Sequence, residues 1–150
     1  MSMKKILLAF GVLAVAPTSL VADEINIHVT GIETHRGGVL TVMVFGQNGF
    51  PKKHAMALRT KTVPADKAEM DFSFTINRDH VAVKIHHDED GNNKVTKNWT
   101  GIYPAEGLGF SNKQRVTFTG PPSYRKSKLV GADLIKPVKI KMRYGKKKKQ

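Results

Sequence analysis

The chain has 150 residues, with 25 Lys and Arg against 12 Asp and Glu and no cysteine. The missing cysteines exclude disulfides, thiol nucleophiles and thiolate metal sites. The net charge of +13 favours anionic partners and says nothing about the fold.

The N-terminus reads as a cleavable secretory signal. Lys4 and Lys5 precede an unbroken apolar run from Ile6 to Ala16. Pro17, Thr18 and Ser19 interrupt it, and Leu20-Val21-Ala22 places a small residue before Asp23. The run is too short for a spanning helix, which needs about 20 apolar residues. Residues 1–22 are therefore expected to be a signal peptide, with a periplasmic or secreted destination and no transmembrane segment after its removal. Its removal takes two lysines and no acid, which lowers the charge from +13 to +11 and leaves 128 residues, enough for one domain with its own core. An exported chain meets little nucleic acid, so an anionic envelope component or another envelope protein is the expected partner. Residues 136–149 hold Lys136, Lys139, Lys141, Arg143 and Lys146 to Lys149 without an acid. A β domain is expected at 23–145, with 146–150 as a basic disordered tail.

After the leader, apolar residues alternate with polar ones, which is the strand signal. Ile25, Ile27 and Val29 form the first set. Val39 to Phe45 is apolar on both faces and predicts a central, doubly covered strand. A strand around Leu58 to Val63 follows, then Met70 to Ile76 and Val81 to Ile85, where Ala82, Lys84 and His86 form the solvent-facing set. Val116 and Phe118 repeat the pattern between threonines. Val138, Ile140 and Met142 end it, with Pro137 marking a strand start or sheet edge. No helical stripe is present, although Lys52 to Leu58 could form one turn. Six or seven short strands joined by Gly, Pro and Asn turns predict an all-β sandwich.

The segment from Asp88 to Lys113 has no clear period, yet it carries Trp99, Tyr103 and Phe110. Aromatic content of that kind argues for an ordered loop, and a long ordered loop is usually functional. His87-Asp88-Glu89-Asp90-Gly91-Asn92-Asn93-Lys94, Asn98-Trp99-Thr100-Gly101, Glu106 to Asn112 and Gly120-Pro121-Pro122-Ser123-Tyr124 together resemble a bacterial secreted family called domain of unknown function 2141. The resemblance runs from about Ile25 to Met142. It implies a Gram-negative type of envelope protein folded as an immunoglobulin-like or prealbumin-like sandwich of about seven antiparallel strands, and no particular activity. Asn93 and Thr96 depart from the family pattern, which has glycine and an acid there.

Asp88, Asp90 and Asn92 occupy alternate positions around Gly91, a spacing that offers calcium three oxygen ligands from one turn. The EF-type pattern fails further on, where Asn93 and Trp99 replace its glycine and glutamate, so Glu106 would have to close the site. The same residues also suit an ordinary turn in which side chains bond their own backbone. His87 is in phase with Val83 and Ile85, which points its ring to the core side and His86 to the other. It reads as a metal ligand with Asp88, as a pH switch, or as a pin for the long loop. No catalytic elbow or zinc-protease motif is present, so no catalytic residue is assigned.

The leading expectation is a non-enzymatic envelope protein that uses the 88–112 loop for a partner or cation. Its metal ligands would be Asp88, Asp90 and Asn92, and its ligand-binding residues His87, Trp99, Glu106 and Asn112. The alternatives are an electrostatic adaptor working through the basic C-terminal segment and a carboxylate-based hydrolase.

Overall fold

The computed structural model describes residues 23–145, so the leader at 1–22 and the tail at 146–150 lie outside the described residues. The fold is a two-sheet β-sandwich. The strands are β1 (Asp23–Thr30), β2 (Val39–Phe45), β3 (Arg59–Pro64), β4 (Met70–Ile76), β5 (His80–Asp88), β6 (Gly107–Phe110), β7 (Leu129–Val130) and β8 (Val138–Lys141). One sheet runs β4-β1-β8; the other runs β3-β2-β5-β6, with β7 also paired to β5. All pairings are antiparallel except β1 with β8, which is parallel.

The period-two pattern explains the packing. Ile25 and Ile27 lie opposite Phe74 and Phe72, and Val29 lies opposite Ile140 on the other side. Leu40, Val42 and Val44 from β2 and Val83 and Ile85 from β5 face them from the second sheet, and all join one core. Burying each such aliphatic side chain is worth roughly 1.5–3 kcal/mol. β2 is central, between β3 and β5, as apolar residues on both of its faces predict.

Beyond β8 the chain changes sheets. The Met142 N–H donates to the Thr30 carbonyl of the first sheet, and Arg143 then exchanges two backbone hydrogen bonds with Leu108 of the second. This closes one edge of the sandwich and delivers Tyr144 to the end of β5.

Three local expectations need correction. Val116 and Phe118 do not form a strand: Thr117 and Gly120 exchange backbone hydrogen bonds in a tight turn, and Phe118 is 80% exposed. Pro121 and Pro122 follow, and neither can donate to a ladder. β6 emerges from the segment that lacked periodicity. Its glycines admit close neighbours: a Cβ on Gly107 would lie 2.2 Å from the Tyr144 ring, and one on Gly109 would lie 2.8 Å from Ile140. Finally, the outer set of β5 is dry. Ala82, Lys84, His86 and Asp88 are all buried, as are His87 and the core set.

Loops cover that outer face. Phe50 stacks edge-on against Phe45, Phe110 and Tyr124, which forms a small aromatic layer outside the second sheet. The segment between β5 and β6 folds over the other end.

Candidate functional site

Lys84, His86 and Asp88 sit two residues apart on one strand, so they form a single row on the outer face of β5. Each is at most 4% exposed. Polar groups this deep require partners, and the partners define the site.

Asp88 is the anchor of the turn that follows it. Its carboxylate accepts the backbone N–H groups of Gly91 (2.8 Å), Asn92 (3.2 Å) and Asn93 (2.8 Å). Gly91 and Asn93 have positive φ, the conformation that turns these N–H groups inward. Desolvation works to raise the Asp88 pKa, but the hydrogen bonds from Asn93 and Gly91 outweigh it and hold the carboxyl below its usual value.

Glu106, at the far end of the loop, does the same from the other side. It accepts Glu89 N–H at 3.0 Å, Thr96 N–H at 2.9 Å and the His86 Nε2–H at 2.8 Å. Asp90 accepts from the Asn92 N–H, the Asn92 side-chain amide and the Thr96 hydroxyl. Three carboxylates thus take nine hydrogen bonds. One oxygen from each of Asp88, Asp90 and Glu106 lies within 4.8 Å of the others, so the three converge on a common point.

Of the seven residues expected from sequence, four meet here: Asp88, Asp90, Asn92 and Glu106. Asn92 turns its amide nitrogen towards Asp90 and its oxygen to the Lys94 N–H. Trp99 stands at the tip of a hairpin closed by a Lys97–Pro104 bridge, 83% exposed, beside Ile102 at 57%. His87 lies on the opposite, core-facing side of β5, where Nε2 donates to the Gly37 carbonyl at 2.6 Å and Nδ1 meets the Tyr144 hydroxyl at 2.7 Å. Both ring nitrogens are therefore engaged in pinning the β1–β2 connection and the C-terminal segment. Asn112 sits at the other end of β5, where its amide donates to the Lys126 carbonyl.

Sequence reasoning missed three residues: His86, which meets Glu106, and the pair Lys84 and His54. Lys84 Nζ donates to the Pro51 carbonyl at 2.9 Å and to His54 Nε2 at 2.7 Å. Burial pushes the lysine down to about 8. Burial, then the Lys84 charge and that of His86, push His54 down to about 4, so this ring is a neutral acceptor. An alternating lysine on a strand looks solvent-facing, and nothing in the local sequence signals the loop that covers it.

The fold and this corner define a small β-sandwich whose one sheet is roofed by an ordered lobe. The family described as "Uncharacterized protein conserved in bacteria (DUF2141)" matches residues 27–135. The chain belongs to that family. No characterised protein and no solved structure matches it. Among the described residues no helix is long and apolar enough to cross a membrane.

Proposed function

We propose that this is an exported, non-enzymatic binding protein of the bacterial envelope, and that it meets its partner through the lobe between β5 and β6. One observation carries this reading. Two buried carboxylates, Asp88 and Glu106, are committed to five backbone N–H groups of the lobe, while Trp99 and Ile102 are presented to water. Preorganised aromatic and aliphatic side chains are the usual anchors of interfaces, because little entropy remains to be lost on binding. Carboxylates already filled by backbone donors are poorly placed for general acid–base work, which favours binding over hydrolysis.

The leader pattern of residues 1–22 supports the exported address. Expression of the full chain in a Gram-negative host tests it: the expected product is periplasmic or secreted and begins at Asp23 by mass spectrometry. A cytoplasmic product that retains Met1 overturns the address. For the lobe, immobilised wild-type protein is expected to bind solubilised envelope fractions, and the double variant W99A/Y103A to lose that binding with an unchanged circular dichroism spectrum. Equal retention by both proteins contradicts the reading.

A second reading rests on the convergence of Asp88, Asp90 and Glu106. A hard cation such as calcium takes six to eight oxygens and would draw on all three. The nine hydrogen bonds already on these oxygens favour the partner reading.

A further inference from the structure

A groove of about 670 Å³ lies between the Lys97–Pro104 hairpin and the loop ahead of β3, over the outer face of β5 and β6. Its volume falls in the range of small-molecule sites. Four lysines line it, Lys52, Lys84, Lys94 and Lys97, and no Asp or Glu does. Three are exposed at the rim, whereas Lys84 is buried in the floor.

Lys84 is the informative one. Its two acceptors, the Pro51 carbonyl and His54 Nε2, carry no negative charge. No carboxylate among the described residues pairs with it, and its third N–H has no acceptor among them. A buried cation without a counter-charge is costly for a fold to keep. Apart from His54 and Asn93 the remaining wall is apolar, and includes Ile102, Leu108 and Val116. A neighbouring groove of about 660 Å³ shares Leu108 and Val116, reaches Trp99, and carries Arg115 and Arg143, again without an acid.

We propose that this groove binds an amphipathic anion, whose phosphate or carboxylate group rests on Lys84 Nζ and whose apolar part runs along Leu108 and Val116 towards Trp99. The anion supplies the charge that the buried ammonium lacks. The rim lysines steer it inward and select against neutral amphiphiles. The inference deepens the reading of the lobe as a binding element, on which it rests, because Lys94 and Lys97 belong to that lobe.

Calorimetric titration at low salt tests it with three probes: n-decyl phosphate, inorganic phosphate and n-decyl maltoside. The wild-type protein is expected to bind decyl phosphate at least about tenfold more tightly than either of the others, and K84M to lose at least about tenfold of that affinity. Inorganic phosphate binding as tightly as decyl phosphate removes the apolar half of the proposal and overturns it. Equal binding of the maltoside overturns the anionic half. Unchanged decyl phosphate affinity in folded K84M overturns the site. Should K84M fail to fold, K94Q/K97Q on the exposed rim is expected to weaken binding several-fold at low salt, and unchanged affinity there overturns the proposal. Failure of decyl phosphate to bind, alongside loss of envelope binding in W99A/Y103A, sinks this inference and leaves the lobe reading standing.

Discussion

The Lys84 ammonium donates to His54 Nε2 across 2.7 Å, in a wall that contains no carboxylate. Both groups are held towards their neutral forms, and stability must depend on pH as a consequence. The unfolded chain binds more protons than the folded one wherever pH lies between the folded and unfolded pKa values. For Lys84 that window runs from about 8 to 10.5, so folding stability is expected to rise with pH across it. For His54 it runs from 6.5 down to about 4, so stability is expected to fall as the solution is acidified. Urea titrations from pH 4 to 10 check both signs. K84M should flatten the alkaline limb and H54Q the acid one.

Asp88 and Asp90 differ in role although they lie two residues apart. Asp88 is 1% exposed and caps three N–H groups, while Asp90 lies at the surface. Hydrogen bonds to a charged group are worth about 1.5–3 kcal/mol each, and water takes over part of that here because Gly91, Asn92 and Asn93 are exposed. D88A is therefore expected to lose roughly 2–4 kcal/mol of stability in chemical denaturation. D90A should shift the melting temperature far less. Equal effects would mean that the turn does not hang on Asp88.

Calcium offers a test of the same corner. A ligand that binds only the folded state raises its melting temperature by mass action. With nine hydrogen bonds on the three carboxylates, millimolar calcium added to chelated protein is expected to leave the melting temperature unchanged. A rise that E106Q abolishes would establish the cation reading instead.

What was legible in the sequence followed from local pattern. β1, β4 and the core face of β5 announce themselves through alternation, and β2 through an apolar run on both faces. β6 was hidden because its two glycines are dictated by Tyr144 and Ile140, which approach from β8 and beyond and leave no room for β-branched residues. Val116 and Phe118 misled for the opposite reason: they alternate, but the turn at Thr117–Gly120 takes the backbone bonds a strand would need. The buried row of Lys84, His86 and Asp88 was invisible as a row, since its cover comes from Pro51, His54 and Glu106, whose bonds to it span 20 to 33 positions. Asp88, Asp90 and Asn92 could be grouped beforehand because turn chemistry is local, and Glu106 because the incomplete ligand pattern calls for one more carboxylate from the same segment. Lys84 and His54 could not.

Amide hydrogen exchange, followed by NMR on the folded protein, addresses the roofing lobe most directly. The N–H groups of Gly91, Asn93 and Thr96 are expected to exchange slowly, with protection approaching that of the β5 amides, and to lose it in D88A or E106A. Exchange at the rate of an unstructured chain in the unaltered protein would mean that the two buried carboxylates do not hold a platform for any partner.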